Sequence, residues 1–158
     1  MSDAASNFLE SKLLDHVLNY STAPYTDSNL TTIYVGLFAS GGNDSALTTA
    51  LESGTNSTSG TGNWGYYEIN NGDYVRRSVG FASASTGSIS SNTTVEFPVA
   101  GADYQTAGTT GNTVTHLALL DGSTGGNVLF YGTLATSKTV SSGDQFTITS
   151  GNLTITLS

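Results

Sequence analysis

The strong acid–base groups of this 158-residue chain are twelve carboxylates, four basic residues and two histidines, and there is no cysteine. His16 sits on or beside an apolar helical stripe, and His116 sits among Thr and Leu in a strand-like run. Neither has a second His or a carboxylate at ligand spacing, and zinc is held by closely set His, Cys and acidic ligands. No metal centre is expected. Serine is abundant, but no Gly-x-Ser-x-Gly stands at a strand-to-helix turn to expose a nucleophile. Glycoside hydrolysis would need two carboxyl groups about 5–9.5 Å apart. The candidates are Glu52, Glu68, Asp73, Glu96, Asp103, Asp121 and Asp144, of which Glu68 and Glu96 lie in strand-like runs and could face each other across a cleft. Asn70-Asn-Gly-Asp73 carries the chemistry of a tight hairpin turn rather than of a calcium loop. The expectation is a protein that is not an enzyme, with no catalytic residue, cofactor or metal.

Arg76 and Arg77 are the most informative charged pair. Adjacent strand residues point to opposite faces, so Arg77 shares the apolar face of Val75, Val79 and Phe81 and Arg76 takes the opposite one. A buried guanidinium needs a carboxylate partner. The expected structural salt bridges join Arg76 and Arg77 to Glu68 and Glu96 on neighbouring strands; a bridge to another subunit is the alternative.

These residues need a scaffold, and the C-terminal third describes one. Thr113–Leu120, Asn127–Leu134, Gln145–Thr149 and Leu153–Leu157 follow one another, parted by Gly, Ser, Asn and Asp. Phe146 and Ile148, then Leu153, Ile155 and Leu157, alternate with Thr, which places apolar and hydroxyl side chains on opposite faces of a strand. The pattern predicts a four-strand antiparallel meander over 113–158. Upstream, Ile33, Val35 and Leu37 alternate with Tyr34 and Phe38, apolar on both faces and so central. Tyr74–Phe81 and Thr93–Phe97 add strands, the latter ending at Pro98.

One stretch predicts a helix, Asn7 to Asn19. Asn7 is placed to cap it, and Phe8, Leu9, Leu13, Leu14, Val17 and Leu18 recur at spacings of three and four. This stripe covers the chain's own sheet or, being near the chain end, contacts another subunit. Residues 39–63, rich in Gly, Ser, Thr and Asn, are expected to form a surface insertion loop, with a helical turn possible over 46–52. The whole predicts a single all-β domain over 1–158, an antiparallel β-sandwich or jelly-roll-like fold with one N-terminal amphipathic α-helix.

Composition narrows the partners. Only 10% of residues are charged, and the formal net charge is −8. Lys12, Arg76, Arg77 and Lys138 are too scattered to track phosphates, so neither nucleic acid nor an anionic membrane surface is expected. No run of eighteen apolar residues occurs, and the N-terminus lacks the basic start and apolar core of a signal peptide. The expectation is a chain made in the cytoplasm and left unprocessed.

Asn7–Leu18, Ile33–Phe38 and Tyr74–Phe81, with Gly125–Leu134, Val140–Phe146 and Leu153–Leu157, resemble a family of small tailed-phage virion proteins, described as tail-fibre-like or as capsid decoration proteins. The resemblance covers most of the chain apart from 39–63. It implies a virion component made in the host cytoplasm, with no catalytic residues. Together with the compact acidic domain and the terminal helix, it leads to a capsid cement or decoration protein. Such a protein would bind the outer shell as a homo-oligomer, most simply a trimer, with the major capsid protein or other virion proteins as partners. The alternative is a tail-fibre or baseplate-associated module whose 39–63 and 100–112 loops contact host surface glycans.

Overall fold

The computed structural model describes residues 3–9, 32–54, 62–108 and 113–156. It is β-rich. Among these residues β1 (Asp3–Ala5), β2 (Ile33–Phe38), β3 (Arg77–Val79), β6 (Thr113–Leu120) and β7 (Val128–Thr139) form an antiparallel sheet in the order β1-β7-β6-β2-β3. Two further antiparallel pairs join β4 (Ser88–Ser90) to β9 (Thr154–Thr156) and β5 (Val95–Val99) to β8 (Gln145–Ile148). The helix α1 (Asp44–Ser53), a 3-10 turn at Trp64–Tyr66 and a helical stretch at 7–9 complete the described elements.

The double-sided apolar character of β2 and β6 decides the architecture. Val35 pairs with Leu119 and Leu37 with Leu117, and all four side chains enter one core with Val95, Phe97, Phe146, Ile148 and Ile155. The intervening positions turn the other way: Phe38, Ala118 and Leu120 join Leu47, Leu51, Trp64 and Val128 in a second core. The sheet is therefore covered on both faces, by the β5–β8 and β4–β9 pairs on one and by α1 on the other. Gly36 sits opposite Ala118 because space there is short: a Cβ at Gly36 would lie 2.9 Å from Leu120 Cδ1.

Several expectations are corrected. The run 113–158 is not a four-strand meander. β6 and β7 pair as neighbours, but β8 crosses to β5 and β9 to β4. Strands with one apolar face, such as Phe146/Ile148 and Leu153/Ile155, suit a covering layer, whereas β6 is buried through Val114 and His116–Leu120 and takes the centre.

Over its described residues, 39–54 and 62–63, the stretch expected as a surface insertion loop contains a helix docked on the sheet. Asn43 caps α1 by accepting from the Ala46 N–H at 3.1 Å, and Gly54, at φ 70°, closes it. Leu47, Ala50 and Leu51, at the spacing of one helical face, are at most 1% exposed. Three apolar residues in a Ser/Thr-rich sequence are enough to dock the helix.

At the N-terminus Asn7–Leu9 is helical, but the cap is Ser6. Its Oγ accepts from the Leu9 N–H at 3.3 Å and donates to the Val128 carbonyl at 2.6 Å, while Asn7 is exposed. Residues 10–19 of the expected helix, with Leu13, Leu14, Val17 and Leu18, lie outside the described residues. Elsewhere the strand expected over 74–81 is confined to β3, and β5 runs through Pro98 with a register irregularity between Glu96 and Val99.

Candidate functional site

The densest polar arrangement in the described residues is built on Arg76, which is 8% exposed and approaches the sheet just before β3. Its Nε and Nη2 donate to the two Glu68 carboxylate oxygens at 2.6 and 2.8 Å, the bidentate geometry that suits a planar guanidinium. Nη1 donates at 2.7 Å to the carbonyls of both Gly122 and Gly125. The guanidinium carbon lies 5.1 Å from the centre of the Trp64 ring. Burial works against the Arg76 charge, but the Glu68 carboxylate outweighs it and holds the pKa above its ordinary value.

Tyr74 completes the set. Its hydroxyl donates to Glu68 Oε1 at 3.0 Å and accepts from the Leu37 N–H at 3.0 Å. Burial first, and the Glu68 charge second, push the Tyr74 pKa well above the usual tyrosine value, so it stays a neutral donor. One guanidinium thus ties three parts of the chain together: the 3-10 turn, the approach to β3, and the β6–β7 connection. Glu68 is committed to this ion pair and is not a free acid or base.

Several other charged residues among those described hold turns or main-chain groups. Arg77 is exposed and its Nε donates at 2.7 Å to the main-chain carbonyl of Glu96, so the contact expected between these two residues does not run through the carboxylate. Asp121 accepts from the Asn127 N–H and Nδ2 at 2.6 and 2.8 Å, Asp144 from the Ser141 N–H at 2.9 Å, and Asp103 from the Ser142 N–H at 2.8 Å. These acids staple turns. Among the described residues no three His, Asp or Glu side chains gather to hold a metal, and no helix is long and apolar enough to cross a membrane.

His116 is 2% exposed, with Nδ1 2.9 Å from Thr115 Oγ1 and Nε2 3.2 Å from Thr133 Oγ1. Burial lowers its pKa, against a smaller opposing effect of Asp44. Of the proposed subunit contacts, Leu9 is buried in its own chain and Phe8 is half-buried.

The stretch 100–108 is also drawn into the fold. Tyr104 is fully buried, its N–H donates to the Val140 carbonyl at 3.0 Å, and Asn71 clamps the Asp103 carbonyl and the Gln105 N–H at 2.8 and 2.6 Å. With α1 docked, neither loop assigned to glycan contact is a free surface arm over its described residues. The missed signal was the role of Asn71: Asn-Gly marked a turn, but not that the Asn side chain would anchor a segment more than thirty residues away.

Among the described residues, grooves open on the surface, two of which border the strands above. The larger, about 680 Å³, lies between the distal half of β7 and β8, with Leu117, Phe146 and Leu153 in its lining. A smaller one, about 440 Å³, lies between β3 and β5 and is lined by Tyr34, Arg76, Arg77, Ser78, Thr94, Val95 and Glu96.

A family model described as Podophage GP4 fiber I protein gp80 matches residues 4–156. No curated protein matches the chain.

Proposed function

The chain belongs to this podophage fiber family, a family of phage structural proteins, and from that premise we propose that it is a non-catalytic structural module of the tail fibre. The family match across nearly the whole chain carries the proposal and favours a fibre over the expected capsid cement or decoration role. The site chemistry supports it: the central guanidinium and carboxylate are consumed in holding Trp64–Tyr66, β3 and the β6–β7 connection together. A chain whose strongest polar groups lock its own turns is suited to transmitting load.

The proposal extends to architecture and assembly. The core shared by β2, β6, β5 and β8 supports a two-layered, sandwich-type domain. The working assembly is a symmetric homo-oligomer, a trimer, that meets other virion proteins through repeated equivalent patches. Leu9 is buried within its own chain, and Phe8, Leu13, Leu14, Val17 and Leu18 are the apolar residues proposed for subunit contact. Quantitative peptide counting on purified particles tests the assignment. A copy number that is a small multiple of the tail symmetry is expected. A stoichiometry matching the shell subunits would return the chain to the capsid.

A further inference from the structure

We infer that Asn71–Gly72 is a site of self-modification, held in check by the segment 100–108. Asn71 is the one asparagine of the chain that is followed by glycine. With no side chain beside it, a glycine nitrogen is the main-chain nitrogen best able to attack the preceding asparagine. The Gly72 nitrogen gives up its proton and bonds to Asn71 Cγ, the Cγ–Nδ2 bond breaks, and the nitrogen leaves as ammonia. Water then opens the cyclic imide at either carbonyl, which gives aspartate or isoaspartate at position 71. Water is the sole co-reactant, and nothing is oxidised or reduced.

The fold leaves the nucleophile free and ties down the group it would attack. Gly72 and Asp73 take φ of 66° and 63°, and the Tyr74 N–H donates to the Asn71 carbonyl at 3.2 Å, so the two residues form a tight turn. The Gly72 N–H makes no hydrogen bond among the described residues. Asn71, by contrast, has both ends of its amide fixed on one segment: Nδ2 donates to the Asp103 carbonyl at 2.8 Å and Oδ1 accepts from the Gln105 N–H at 2.6 Å. Cγ cannot swing to Gly72 without breaking both bonds. The segment is fastened elsewhere too. The Asn70 N–H donates to the Gln105 carbonyl at 2.9 Å, and the Asn70 amide, turned to satisfy both partners, donates to that carbonyl and accepts from the Ala107 N–H, each at 3.2 Å. Tyr104 is buried with its ring edge-on to Tyr74. Asn71 therefore reacts when the segment lifts, and the products keep it lifted. Aspartate has no N–H for the Asp103 carbonyl and sets a carboxylate against that oxygen, in a corner that already holds Asp73 and Asp103. Isoaspartate lengthens the main chain by one carbon and breaks the turn. The result is a slow, one-way change at one corner of the domain, wherever the chain sits on the particle.

The test keeps the full-length chain at mildly alkaline pH, folded in buffer and unfolded in concentrated urea, and follows isoaspartate at position 71 by peptide mapping. Modification in urea is expected first at Asn71, and in the folded chain about tenfold or more slower, the weight of two hydrogen bonds that must break. Asn70→Ala, which loosens the segment from an exposed position, should raise the folded rate. Asn71→Asp installs one product directly: hydrogen exchange at the Tyr104 amide, bonded to the Val140 carbonyl at 3.0 Å, should become fast while the amides of β2 and β6 stay protected. Equal rates in the two states, no isoaspartate at 71 in either, or an earlier modification at another asparagine would each overturn the inference. So would an Asn71→Asp chain whose Tyr104 amide is as protected as before. Should that variant fail to fold, the rate comparison on the unaltered chain still decides.

Discussion

Arg76 gives the sharpest residue-scale expectations. Arg76→Ala leaves the partly buried Glu68 carboxylate and two glycine carbonyls without their donor, a loss bounded by the about 3–5 kcal/mol typical of a broken, fully buried pair. Urea denaturation should show that loss, and a double-mutant cycle with Glu68→Gln should show strong coupling; independent, additive effects would mean the pair is not the unit it looks to be. Tyr104 carries the opposite prediction. Its hydroxyl is buried with no hydrogen-bond partner among the described residues, so removing it in Tyr104→Phe should leave stability unchanged or raise it slightly. A loss of about 1 kcal/mol, the typical net worth of a made hydrogen bond, would reveal a partner. His116 sets a pH dependence. Burial depresses its folded pKa below the ordinary value near 6.5, so the unfolded chain binds the proton more readily. The contribution of this residue is complete above pH ~6.5 and is lost as pH falls from there through the folded pKa. An NMR titration should place the His116 pKa below that of a free histidine, and His116→Gln should flatten this part of the stability profile.

The element that most changes the picture is α1. Leu51→Ala should cost about 2–5 kcal/mol, as for large-to-small changes in a packed core, whereas a surface insertion would tolerate it. Gly54→Ala tests the same docking from the backbone side. The position needs φ 70°, and a Cβ there would come within 2.7 Å of Ser6 Oγ and 2.8 Å of Phe8 Cβ. Thermal unfolding should report a loss above about 1 kcal/mol. These cases show what a linear reading can reach. β2, β6 and β7 were legible because apolar alternation is a local property, but which arginine is buried was not: alternation put Arg77 on the apolar face with Val75, Val79 and Phe81, and the structure buries Arg76 instead. The pairing of β8 with β5 and β9 with β4 was not legible, since period-two patterns give faces and not neighbours. Nor was β1, whose Asp-Ala-Ala carries no alternation, or the cap at Ser6, where Ser and Asn are equally good caps. Arg77 shows the same limit: its exposure follows from β3 lying at a sheet edge, which adjacent residues cannot announce.

For the whole molecule, the polar clamps and covered sheet faces describe a module that holds its shape, and family membership makes it a phage structural protein of the fiber family, for which a place in the tail fibre is the reading proposed. Its one buried ion pair, among the described residues, joins Arg76 to Glu68, while Arg77, Glu96 and Lys138 stand on the surface that a neighbour would meet. Location on the particle is the property on which function turns. Cryo-electron microscopy of intact virions, at a resolution that lets the domain be fitted without ambiguity, tests this most directly. The fibre assignment predicts density for the β2–β6–β7 sheet and α1 in symmetric copies on the tail appendages, with none on the shell. The same density seated on the capsid surface, with the tail appendages built from other chains, would contradict it.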